Sequence, residues 1–184
     1  MKLKIIIYCI SFLIVLSCSS QLQSKVSLNK EIKGLKKTTL LLPDILFQVH
    51  GDSEHYVHLE KGELSFIIWF SNESCSECTL YHLEEYYYNI WRLSKDTGHF
   101  RVLFIFSPNG EEEKEKIVDL IKVLDFEWPI FLDMNNDMET IMPQDSRLHM
   151  LLVNANGFPI YFGNPLMNGV PDQEFMRLIT SSQL

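Results

Sequence analysis

The chain has 184 residues, enough for one domain of ordinary size and short for two. Apolar residues make up 46% and charged residues 22%, which excludes a disordered tail and a multi-span membrane protein. Sixteen basic against 24 acidic side chains give a formal charge of −8, which argues against a nucleic-acid partner, since such binders need a basic face.

Met1 to Lys4 is a short basic start, followed by an apolar run from Ile5 to Leu16 broken only by Ser11. That run has the length of a signal-peptide core and falls short of the roughly 20 residues a spanning helix needs. It ends in Val15-Leu16-Ser17-Cys18, after which the chain turns polar. The tetrapeptide resembles a bacterial lipobox, and the resemblance implies cleavage before Cys18 and lipid on that cysteine. A simple cleaved signal and an uncleaved anchor are the other two readings. Lipidation would leave the protein anchored to a membrane of the cell envelope rather than spanning it. Ser19 stands where an Asp would resemble an inner-membrane retention signal, which favours the outer membrane. Loss of residues 1–17 removes two lysines, leaving 14 basic against 24 acidic groups, or −10.

Residues 18–37 read as the lipidated cysteine and a flexible polar tether, and 38–184 as one domain. Leu40 to Val49, broken by Pro43, and Tyr56 to Leu59 read as short strands either side of Gly51-Asp52. Leu64 to Phe70 is almost wholly apolar, as expected of a strand covered on both faces. A helix is predicted from about Cys75 to Leu93, with Leu80, Leu83, Tyr87, Ile90 and Trp91 along one stripe. Arg101 to Ser107 is the next strand. Asn109 and three glutamates then open a helix to Leu124, the acids standing where the helix dipole favours them. Trp128 to Leu132 is a strand, and Asn135 to Met142 a short helical turn stopped by Pro143. Leu148 to Val153 and Phe158 to Phe162 form a hairpin about Asn154-Ala155-Asn156-Gly157, and Pro171 starts a last helix to about Thr180. This alternation predicts an α/β fold with a mixed, mostly parallel sheet, helices on both faces and an extra N-terminal hairpin.

Once Cys9 and Cys18 are set aside, Cys75 and Cys78 are the only cysteines. Cys75-Ser76-Glu77-Cys78 lies between a buried strand and a helix start, where free N–H groups stabilise a thiolate. Helical geometry predicts Cys75 at the exposed tip as the attacking sulfur, and Cys78 turned towards the domain as the resolving one. A static structural disulfide is the second reading. Metal binding is the third: His82, four residues past Cys78, could add a ligand, but there is no second cysteine pair. His82 otherwise reads as an exposed helix residue able to tune thiolate charge. Glu77, beside Cys78, opposes thiolate formation and predicts a more reducing pair. Asp133, Asn135 and Asp137 begin like a calcium loop, but Met138 replaces the glycine it needs, so a helix cap is the preferred reading. The aromatic run Tyr86-Tyr87-Tyr88 with Trp91 reads as helix packing, with a protein-docking surface as the second reading.

The order of these features from Thr38 on resembles the thioredoxin superfamily, and within it the TlpA-like, redoxin-type thiol–disulfide oxidoreductases exported by bacteria. Leu42-Pro43-Asp44-Ile45, Gly51 and Leu59-Glu60-Lys61-Gly62 match that group's N-terminal hairpin, and Val153-Asn154-Ala155-Asn156-Gly157 its closing hairpin. The resemblance implies a thioredoxin-like fold and thiol–disulfide exchange by Cys75 and Cys78 without a cofactor or a metal. It also implies exported disulfide proteins as substrates and an unidentified membrane electron donor. Four positions depart from the family pattern. Ser74 replaces a tryptophan before the first cysteine, Ser76-Glu77 replaces a proline-containing pair, and Trp69 replaces a buried acid. No proline stands near Leu148, where a cis-proline would face the dithiol. A non-proline cis bond costs about 2.5–4 kcal/mol, so a trans bond and an altered substrate groove at Leu148 and His149 are expected. Asn72 stands where the peroxidase members carry a threonine.

Overall fold

A computed structural model describes residues 26–59, 62–167 and 169–181. It divides into two units, 1–38 and 39–184. Of the first, residues 26–35 form a helix, α1, rather than the flexible spacer expected for 18–37. Leu28, Ile32 and Leu35 are half-buried at a spacing of four and three, a helical stripe too short to stand out from its polar neighbours.

The second unit is built on one seven-stranded sheet. Its strands are β1 (Ile45–His50), β2 (Ser53–His58), β3 (Ser65–Phe70), β4 (Arg101–Phe106), β5 (Ile130–Leu132), β6 (Met150–Val153) and β7 (Pro159–Phe162). The helices are α2 (Ser76–Thr97), α3 (Glu111–Leu124), α4 (Asp137–Ile141) and α5 (Gln173–Ser181). The strand order is β2-β1-β5-β4-β3-β6-β7. Parallel pairing is confined to the centre, β3 with β4 and β4 with β5; the four pairings at the flanks are antiparallel. The crossover β3-α2-β4, followed by the hairpin β6-β7 and α5 in the order β4-β3-β6-β7, makes the fold thioredoxin-like. The N-terminal hairpin joins through β5.

Period-two alternation sorts the central strands between two cores. Phe66, Ile68, Phe104, Phe106, Ile130 and Leu132 pack against α2, α3 and α5. Ile67, Trp69, Leu103, Ile105 and Phe131 face the other way, covered by Met138 of α4, Met142 and Leu40. In α2 the expected stripe is the buried one, with Leu80, Leu83 and Ile90 inside and Tyr87 and Trp91 half-buried. The helix ends on Gly98 in the left-handed region (φ 64°), whose N–H bonds the Ser94 carbonyl.

Strand register fixes two ends of the sheet. Cys75 follows the C-terminal end of β3, whereas Ser65 at the N-terminal end pairs with Val153, next to the 154–157 turn. There the Leu40 N–H donates to the Gly157 carbonyl at 2.8 Å. Gly157 has φ 82°, and a Cβ on it would come within 2.8 Å of the Thr39 methyl, so this contact requires glycine.

Candidate functional site

Between β3 and α2 the chain makes a tight turn, closed by the Ser74 N–H and hydroxyl, both donating to the Ser71 carbonyl at 3.0 and 2.5 Å. Cys75 is then the N-cap of α2, its Sγ accepting from the Cys78 N–H at 3.3 Å. The sulfur occupies the place where a helix start concentrates its unpaired N–H groups. Cys75 and Cys78 are joined as a disulfide, with Cα atoms 5.4 Å apart.

Cys75, Glu77 and Cys78 are all exposed, while Ser76 between them is buried at 4%. The inward orientation expected for Cys78 is therefore corrected: the motif turns its serine inwards and both cysteines outwards. Ser76 continues the buried stripe of Leu80 and Leu83, four and seven residues on, and Cys78 falls on the opposite side. From α3 the Glu113 carboxylate satisfies the buried serine, accepting from the Ser76 hydroxyl and from the Asn109 N–H, both at 2.7 Å. A second carboxylate, Glu139 of α4, accepts from the Asn72 N–H at 3.1 Å. Two acids from different helices thus hold the turn, one ahead of the dithiol at Asn72 and one inside it at Ser76. The one-dimensional pattern gave neither a role, since Glu113 reads as one of three equivalent N-terminal glutamates.

Trp69, in place of a buried acid, is 4% exposed, and its Nε1–H donates to Ser107 Oγ at 2.9 Å. That hydroxyl donates in turn to Asp133 Oδ2 at 3.3 Å. The Asp133 carboxylate also accepts from the Asp137 and Met138 N–H groups, so it caps α4, as the sequence favoured over a calcium loop. The Trp69 ring lies 4.2 Å from that of His149, whose carbonyl accepts from the Trp69 N–H. His149 Nε2 is 3.0 Å from the Pro143 carbonyl. A carbonyl only accepts, so Nε2 carries the proton. Burial pushes the His149 pKa below its ordinary value, against the Pro143 carbonyl and the Glu139 and Asp145 carboxylates.

Of the two residues assigned to a groove, Leu148 is corrected: it is 2% exposed and ends a 3₁₀ turn, Ser146–Leu148. Its buried side chain offers nothing to a ligand. His149 does line a cavity of about 370 Å³ with Phe70, Glu73, Ser74, Tyr87 and Met150. All peptide bonds among the described residues are trans. His82 is exposed and bonded through Nδ1 to Glu85 at 3.2 Å. Among the described residues no three His, Cys, Asp or Glu side chains converge as a metal set. Cys18 and the signal segment lie outside the described residues, among which no helix is long and apolar enough to cross a membrane.

An exposed disulfide whose first sulfur caps a helix can open by thiol attack, and its reduced form can attack another disulfide. No protein-family model matches the chain, and no curated protein matches it. Solved structures with a similar course include an exposed lipoprotein thioredoxin from Streptococcus pneumoniae (19% identity, 74% of this chain and 98% of that one, TM-score 0.46). A thioredoxin-like protein from Porphyromonas gingivalis gives 18% identity, 79% and 93% coverage, and a TM-score of 0.44. StoA from Bacillus subtilis gives 15%, 76% and 98%, and 0.44. At such scores they carry no functional inference.

Proposed function

We propose that the chain is a thiol–disulfide oxidoreductase working as a reductase on exported proteins, held to an envelope membrane by lipid on Cys18. The observation behind this reading is the Cys75–Cys78 pair, exposed at the N-cap of α2. In the reducing cycle the Cys75 thiolate attacks a substrate disulfide, forming a mixed disulfide and releasing one substrate thiolate. Cys78 then attacks Cys75 Sγ, the second substrate sulfur leaves as a thiol, and the Cys75–Cys78 bond carries away the oxidation. Two electrons pass to the substrate, and a membrane-held dithiol donor then reduces the Cys75–Cys78 bond with two more, becoming a disulfide itself.

Insulin reduction tests this directly. Cys75→Ala should abolish activity, and Cys78→Ala should accumulate the mixed disulfide; absence of trapping in both variants overturns the scheme. A second reading, a binding module with a permanent clip, draws support from the lack of a proline near Leu148, where the resemblance puts a cis-proline. It requires a reduction potential far below roughly −300 mV.

A further inference from the structure

The rotation that buries Ser76 and exposes Cys78 also determines what stands beside the sulfurs. From Cys78, helical spacing of three and four leads to Tyr81, His82, Glu85 and Tyr86, all exposed. Tyr81 and Tyr86 are 64% and 61% exposed, among the most exposed large apolar side chains of the domain. The remaining aromatics of that run behave as packing: Tyr87, Tyr88 and Trp91 lean on the core. The exposed stripe is ordered internally, His82 bonding Glu85 and its ring lying 5.7 Å from that of Tyr86.

The charges that α2 itself brings to this face have one sign. Glu77, Glu84 and Glu85 are exposed along it, and no Lys or Arg occurs in the sequence between Ser76 and Arg92. Lys116, which feels Glu77, is already bonded to Glu112 at 2.7 Å. Exposed tyrosines interleaved with carboxylates suit guanidinium and ammonium groups, which gain from ring faces and from charge at once. Eight residues separate Cys78 from Tyr86, a rise of about 12 Å, the span of three to four extended residues.

We propose that this outward face of α2, from Cys78 to Tyr86, docks the disulfide-bearing partner, and that the partner carries arginine or lysine beside its disulfide. The inference rests on the oxidoreductase reading and adds the partner's chemistry to it. The stripe starts at the pair itself, so an extended segment that follows the helix from Cys75 comes within reach of Tyr81 and Tyr86.

The test uses the reduced full-length chain, with rates for Cys75→Ala subtracted, and three disulfides. Two are synthetic peptides differing only in flanking arginine or glutamate; the third, hydroxyethyl disulfide, is too small to reach the tyrosines. The arginine peptide should react about tenfold faster than the glutamate peptide at low salt, and the gap should close as salt rises. Tyr81→Ser with Tyr86→Ser should lower the rate on the arginine peptide, relative to hydroxyethyl disulfide, by about fivefold. Glu85→Lys should favour the glutamate peptide, and Val123→Ser, an exposed apolar position on α3, should leave all ratios alone. Equal peptide rates, or an unaltered ratio in the tyrosine variant, overturn the docking proposal while leaving exchange intact. A chain that reduces none of the three overturns the oxidoreductase reading and this proposal together.

Discussion

Glu77 is the exposed acid between the two sulfurs, and its charge competes with the helix start for the state of Cys75. Glu77→Gln should lower the apparent pKa of the reduced Cys75 thiol and make the pair more oxidising, read from the pH dependence of alkylation and from equilibration with glutathione. An unchanged titration would remove Glu77 from the tuning of the site. His149 carries a different pH signature, because burial depresses its pKa in the fold. The unfolded chain therefore takes up the proton first as pH drops. Stability from this group is present above its ordinary pKa of about 6.5 and is lost as pH falls through the lower folded value. His149→Phe, which keeps a ring against Trp69, should flatten the decline in urea midpoint between about pH 7 and pH 5. A slope equal to that of the wild type would assign the acid sensitivity elsewhere.

At the scale of elements, the apolar alternation of β3 and β4 and the stripe of α2 were legible because each is a local pattern with one solution. The rotation of α2 belongs to the same stripe, since Ser76 stands four and seven residues before Leu80 and Leu83 and Cys78 lies on the opposite side. A serine on the inner face hides the pattern in the first turn, however, and its partner Glu113 is thirty-seven residues away in sequence. Glu113→Ala strips a partner from both the Ser76 hydroxyl and the Asn109 N–H. It should cost about 1–3 kcal/mol in urea unfolding and slow exchange at the pair, whereas exposed Glu115→Ala should do neither. The helix over 26–35 was missed for a related reason: three half-buried residues among polar ones give no sustained period. Asp133 was read correctly as a cap. Its link through Ser107 to Trp69 joins three separate segments and has no sequence signature.

For the molecule as a whole, the fold class and the position of the dithiol could be read from element order, since a strand-helix crossover and a closing hairpin admit few arrangements. The extent of parallel pairing could not, because β1 meets β5 head to tail through a long-range choice of sheet edge. The disulfide bridges positions only three apart, so it constrains little of the unfolded chain. Reduction should therefore lower the unfolding free energy by about 2 kcal/mol or less and leave the near-ultraviolet spectrum native-like, so that one fold serves both redox states. A larger loss would mean that the pair is a staple. The Leu40–Gly157 bond gives the domain a polarity as well. The chain enters beside the 154–157 turn, while the sulfurs stand past the opposite end of β3, about 20 Å along the strand. Within this unit the entry of the chain and the dithiol therefore occupy opposite ends of one strand, so a molecule engaging the sulfurs leaves the Leu40–Gly157 junction untouched.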